Sequence, residues 1–222
     1  MTSLRLDEAD APVDTRQRLL DVAMTLISQH GCAGTSLQMI ADELGFTKAA
    51  IYYHFRTRDE LLIALMEPIL KKNLRAVETA EAQMTPRSQV EAMVRGYAEV
   101  VAHNRSLAAV VVFDSSVRRI LQMQPEWVDL IERQLALIMQ IDADTTGFIR
   151  ATALFSGLAG AATAAPADLT TDDLVEELSA VGRRILGLRP PRRPTSSPAK
   201  ANGKPRRPDP LPRRWKDILT EP

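Results

Sequence analysis

Cysteine occurs once in the 222 residues, at Cys32. A lone thiol excludes an intrachain disulfide and cannot by itself build a multi-thiolate metal site, which fits a reducing compartment. No long hydrophobic run is present either. The weakly polar stretch Ala151–Ala167 is mostly Ala, Gly, Thr and Ser, and it lacks the ~20 strongly apolar residues of a membrane span. It reads as a buried helix. The first residues set Arg5 against Asp7, Glu8 and Asp10, unlike the basic-then-apolar pattern of a signal peptide, so the expectation is a cytoplasmic protein. Net charge is also missing: 28 Lys and Arg balance 28 Asp and Glu.

The zero sum hides an uneven distribution, which decides more than the total. From Arg189 to Pro222 ten basic residues stand against three acidic ones, a local +7 that leaves −7 on residues 1–188. That segment also holds nine prolines and too few apolar groups to order itself, so residues 189–222 are expected to form a disordered basic tail, solubilising or adding nonspecific phosphate attraction. Residues 1–13 are expected to be a disordered polar leader.

Between these ends, apolar residues recur at helical spacing, with no alternating pattern and no internal repeat. The fold class is therefore all-α. Asp14 with Gln17 predicts the start of a first helix, Leu19, Leu20, Ala23, Leu26 and Ile27 its buried stripe, and Gly31 its end. Thr35 with Gln38 predicts the cap of a second, short helix ending at Gly45. Thr47 predicts the cap of a third, Lys48–Phe55. A long fourth helix starts near Asp59, with a kink or break at Pro68. Further helices are expected over 86–103, 107–113, 126–140, 145–164 and from Thr170 or Thr171 to about Leu186.

Thr35–Phe55 (TSLQMIADELGFTKAAIYYHF) has the spacing of a helix-turn-helix. Ala41 is small where two helices cross, Gly45 suits the positive φ of the tight turn, and Phe46 and Ile51 plug the space between the helices. From Phe46 to Thr57 there is no acidic side chain, while Lys48, Arg56 and Arg58 are cationic and Tyr52, Tyr53 and His54 can donate to phosphate.

This run, followed by R-D-E-L-L, resembles the N-terminal signature of TetR-family regulators over Thr15–Leu62. Beyond it only the general helical layout is similar. The resemblance implies an N-terminal three-helix DNA-binding domain (14–59) and a C-terminal helical effector-binding and dimerisation domain (60–188). It implies a homodimer on a double-stranded, pseudo-palindromic operator, with Lys48–Phe55 in the major groove. Base reading then falls to Thr47, Ala49 and Ala50. Contacts from Thr35, Ser36, Gln38, Lys48, Tyr52, Tyr53, His54 and Arg58 complete the expected interface.

The same resemblance implies a small-molecule pocket and a dimer made by the last two helices. Candidates for the pocket are Met93, Tyr97, Val101, Phe113, Met123, Trp127 and Phe148, with Thr152 as a polar anchor. Having few ionisable groups, this set favours an apolar or acyl-type effector. Candidates for the interface are Phe155, Leu158, Ala162, Leu174, Leu178, Val181 and Ile185, with Gly157 and Gly160 permitting close helix approach.

No cofactor or metal site is expected: His103 has no second ligand at i+4, and no nucleophile–base–orienter set or phosphate loop stands out, so the chain does not read as an enzyme; that it is a repressor is what the resemblance implies. Two alternatives remain open on the sequence, a redox-responsive regulator working through Cys32 and a helical protein-interaction module.

Overall fold

In a computed structural model of the protein, residues 12–188 are described. The expected leader and the basic tail lie outside them, except that Pro12 and Val13 already belong to the first helix. Every regular element among the described residues is an α-helix. The chain divides after Leu65 into two compact units.

The first unit holds α1 (Pro12–Gly34), α2 (Leu37–Leu44), α3 (Lys48–His54) and the start of α4 (Arg58–Glu81). Because α1 begins at Pro12, Asp14 lies inside it rather than capping it. The expected stop at Gly31 survives as a kink: its φ of 73° breaks the helical path before a last half-turn to Gly34. Leu19, Ala23, Ile40, Ala41, Ile51 and Phe55 are buried together as the small core of this unit. Each large aliphatic side chain buried there contributes roughly 1.5–3 kcal/mol.

The second unit continues with α5 (Pro86–His103), α6 (Arg105–Phe113), α7 (Ser115–Gln122), α8 (Pro125–Ile138), α9 (Thr145–Ala164) and α10 (Thr171–Ile185). α5 is central, packing against α6, α8, α9 and α10, while α6 and α10 both lie on α9. The tightest crossing is at Gly182 of α10, where an added Cβ would come within 2.7 Å of Val94 and 3.0 Å of Leu154. It is therefore Gly182 that permits close approach. Gly157 has nothing within 4 Å of the corresponding point, and Gly160 meets only the ring tip of Phe113 at 3.3 Å.

Side chains cap both α9 and α10: Asp144 accepts from the Gly147 N–H, and Thr170, one of the two expected starts of the last helix, accepts from the Asp173 N–H. α7 is an additional element that the sequence pattern did not predict. Asp114 caps it by accepting from Ser116 and Val117, and Val117 and Leu121 are buried at i, i+4 spacing.

Pro68 does not break α4 into two elements. Beyond it, α4 is tied to α8 by two side-chain links. The buried Asn73 amide donates to the Ile69 carbonyl at 3.1 Å and accepts from Gln134, itself buried, at 3.0 Å. About two turns on, the Arg133 guanidinium grips both carboxylate oxygens of Glu81 at 3.0 and 2.9 Å, a pairing that raises the arginine's pKa. Gln134→Leu strands the Asn73 carbonyl oxygen in the core and is expected to cost about 1–3 kcal/mol. Asn73→Leu/Gln134→Leu removes both partners and should recover most of that loss in urea unfolding; a double variant as unstable as the sum of the singles would contradict the pairing.

Candidate nucleic-acid interface

The turn between α2 and α3 is set by local backbone geometry. Gly45 adopts φ 67° and ψ 24°, and the Phe46 N–H reaches back to the Ala41 carbonyl at 2.9 Å. This left-handed residue followed by a 6→1 bond closes α2 and redirects the chain at once. Thr47 then caps α3, its hydroxyl accepting from the Ala50 N–H at 3.2 Å. Ile51 and Phe55 plug the core, which fixes the opposite face of α3 outward.

That outward face carries the residues expected to meet DNA. Thr47, Lys48 and Ala49 are exposed and Ala50 is half-buried. Tyr52 is 43% exposed, with the Lys48 ammonium 5.6 Å from its ring centroid. Tyr53 is 84% exposed and meets the half-buried His54 ring edge-on at 5.2 Å. An aromatic ring this exposed contributes little to the core, so its place on α3 calls for another partner. Arg56 is exposed and Arg58 half-buried at the start of α4.

The second helix is arranged differently from the sequence expectation. Ser36, not Thr35, is the N-cap of α2, accepting from the Met39 N–H at 3.2 Å. Thr35 is buried and donates its hydroxyl to the Gly31 carbonyl at 2.9 Å, which commits it to the α1–α2 junction. A contact from the Thr35 side chain to DNA is thereby withdrawn. Gln38, exposed, donates to Asp42 at 2.7 Å rather than completing a capping box. Two further cations join the first unit's charged surface: Arg16 and Arg18 on α1 stand over the rings of Phe55 and Phe46, at 5.2 and 5.6 Å from their centroids. The T-R-Q-R run at the start of α1 is the sequence signal that could have placed them. Cys32 is 1% exposed, which shields its thiol and removes the support for a redox sensor.

In the second unit, the residues expected around an effector scatter. Met93, Val101 and Trp127 are buried, and Phe148 is half-buried. Tyr97 donates its phenol to the Phe155 carbonyl at 3.0 Å and meets the Phe155 ring edge-on at 4.8 Å; burial pushes its pKa up. Phe113 and Met123, 68% and 76% exposed, and Thr152, also exposed, lie on the surface of the chain. The eight therefore do not line one enclosed pocket. A groove of 480 Å³ does lie elsewhere, between α4 and α5, and none of the eight borders it.

The expected dimer residues divide in the same way. Leu158, Ala162, Leu174 and Leu178 are buried within the chain itself, because α9 and α10 turn these stripes onto each other and onto α5. Phe155 and Ile185 are half-buried, and Val181 is exposed. Small or apolar residues left exposed on these helices include Ile149, Ala153 and Gly157 on α9 and Val181 on α10, the last among the charged Asp172, Asp173, Glu176, Glu177 and Arg184.

A capped helix-turn-helix with a cationic, aromatic outer face, followed by an all-helical second unit, has the geometry of a helix-turn-helix DNA-binding head. Residues 19–65 match the model of the bacterial regulatory proteins of the tetR family. The HTH-type transcriptional regulator AcrR of Shigella flexneri is 46% identical over 54 residues, 24% of this chain and 25% of that protein. The HTH-type transcriptional repressor KstR2 of Mycolicibacterium smegmatis is 22% identical over 142 residues, 59% of this chain and 69% of the relative. Among solved structures, the ketosteroid transcriptional regulator KstR2 of Mycobacterium tuberculosis has the same fold, with a TM-score of 0.60 at 16% identity over 81% of this chain and 95% of that one. Residues 19–65 are therefore similar to the N-terminal domain of the tetR family, and the rest of the chain shares the fold of solved regulators of that family. Its match to AcrR spans about a quarter of that regulator's length.

Proposed function

We propose that the chain is a dimeric transcriptional repressor that binds a pseudo-palindromic operator through α3 and is released by a small apolar or acyl-type effector. The observation that carries this reading is the outer face of α3, where an 84%-exposed Tyr53 sits beside Lys48 and Tyr52 with no acidic residue from Phe46 to Thr57. Relatives named as repressors and regulators support the same reading. Thr47, Ala49 and Ala50 are the base-reading positions, because short side chains at the N-terminus of the helix permit close approach to base edges and contact with thymine methyls. Lys48, Tyr52, Tyr53, His54, Arg56 and Arg58, joined by Ser36, Gln38, Arg16 and Arg18, supply phosphate contacts.

Dimerisation is assigned to the exposed surfaces of α9 and α10, centred on Ile149, Ala153, Gly157 and Val181, because small and apolar residues left outside a folded chain suit a second helical pair. Two-fold symmetry then sets the recognition helices about 34–36 Å apart. Ligand acts by favouring one dimer conformation over the other, and α4, which starts in the first unit and ends in the second, is the element that transmits the choice. Pro68, three residues past the boundary, is its hinge. Fluorescence anisotropy tests the reading: the full chain should bind a duplex from upstream of its own gene at least ~10³-fold more tightly than a scrambled duplex at physiological salt. Equal affinity for the two would overturn it.

A further inference from the structure

We propose that the groove between α4 and α5 binds a small amphiphilic anion, a carboxylate or phosphate head on a short alkyl chain, through Lys72 and Arg75. The groove encloses 480 Å³, within the range of ligand-sized clefts. Its α4 wall carries Lys72, Arg75 and Thr79, spaced to share one helix face, and its α5 wall carries Arg95, Glu99 and His103. The apolar surface is made of small side chains on both helices, Ala76, Ala92 and Val100, with Gly96. The two helices approach closely at Gly96, where an added Cβ would lie 2.8 Å from that of Ala76.

The charges in the groove are unevenly committed. Arg95 is held by Glu99 at 3.1 Å and by Glu176 at 2.8 Å, so the one carboxylate that borders the groove is already paired. Lys72 has a neutral partner, the Asn104 amide oxygen, at 2.9 Å. Among the described residues the Arg75 guanidinium has no ion-pair or hydrogen-bond partner; the Thr79 hydroxyl donates to its backbone carbonyl instead. His103 commits Nδ1 to the Glu99 carbonyl at 2.8 Å, which leaves Nε2 for other contacts. Two uncompensated cations one helical turn apart match an anionic head, and Arg75 offers it a bidentate fork. From Lys72 to Thr79 the groove runs about 10 Å along α4, room for an alkyl chain of roughly eight carbons laid over the small apolar surface.

This assignment deepens the effector reading, on which it rests only for its effect on DNA; binding is measured without DNA. Isothermal titration of the full chain with octanoate or octyl phosphate should show saturable binding, with the stronger of the two reporting the preferred head group. Octanol and inorganic phosphate, each carrying half of the chemistry, should bind at least about tenfold more weakly. Arg75→Gln and Lys72→Met should each weaken octanoate or octyl phosphate at least about tenfold without moving the melting temperature, since both side chains are exposed. Ala92→Phe, which fills the groove without touching a charge, should do the same. Octanol binding as tightly as octanoate, phosphate alone competing at equal concentration, or unchanged binding in the three variants would each overturn the proposal. Operator binding of the unliganded chain, measured in parallel, separates a failed groove from a failed repressor.

Discussion

Lys48→Glu/Tyr53→Ala is expected to lower operator affinity about 10³-fold while keeping the parent's melting temperature. Neither side chain belongs to the core: Tyr53 is 84% exposed and Lys48 is exposed. Changing them removes only surface contacts, that of Lys48 with the Tyr52 ring and that of Tyr53 with His54, and surface changes of this sort stay within roughly 0.5 kcal/mol of parental stability. At the DNA surface the effect is different in kind. Lys48→Glu takes a cation away from phosphate and places a carboxylate against the backbone, and Tyr53→Ala removes a donor and the ring that carries it. Each change costs about 2 kcal/mol on the scale of single protein–DNA interactions. The slope of log affinity against log salt should also flatten by about 0.9 for each phosphate that the variant no longer neutralises. A variant that melts early, or one that binds like the parent, would show that α3 uses these residues for something else.

Leu158→Asp and Val181→Asp are expected to fail in opposite ways, although both positions lie on the last two helices. Leu158 is fully buried, on the α9 surface that meets α10 near the Gly182 crossing. Even truncation to alanine at such a site costs roughly 2–5 kcal/mol, and an unpaired buried carboxylate costs more. Leu158→Asp should therefore unfold the second unit, seen as disappearance of the cooperative circular-dichroism transition. Val181 is 39% exposed, so Val181→Asp should leave the fold intact and instead divide the dimer in sedimentation equilibrium, most completely when joined with Ile149→Asp. A folded monomer from Leu158→Asp would return the interface to the buried stripe.

These contrasts show where the sequence was informative. The head was legible because its signals are local. The positive φ of Gly45 and the cap at Thr47 are decided within a few residues of where they are written, and Ile51 and Phe55 fall on one side of a two-turn helix. The one-residue error at Thr35/Ser36 arose because adjacent hydroxyl residues are nearly equal as caps; the bond from Thr35 to the Gly31 carbonyl settles which is committed to the fold. α7 escaped because eight residues give too short a periodic pattern, though Asp114 with Val117, Ile120 and Leu121 carried it.

The second unit was legible as helices and not as partnerships. A stripe such as Leu154, Leu158 and Ala162 says that one side is buried but not whether the burying surface belongs to the same chain. Aromatic and methionine residues gathered by type, such as Phe113 and Met123, were separated by a fold whose packing is long-range in sequence. The α4–α5 groove was invisible for the same reason: its walls, Lys72 and Arg75 against Arg95 and His103, come from two helices whose register is fixed only by packing.

The central claim, that α3 reads a specific two-fold DNA site, is tested most directly by footprinting the full chain on the DNA upstream of its own gene. The expected result is one protected pseudo-palindrome with half-site centres separated by about 10–10.5 base pairs or a multiple of that spacing, absent for Lys48→Glu/Tyr53→Ala at the same protein concentration. Uniform protection along the fragment, or a footprint that survives the double variant unchanged, would contradict it.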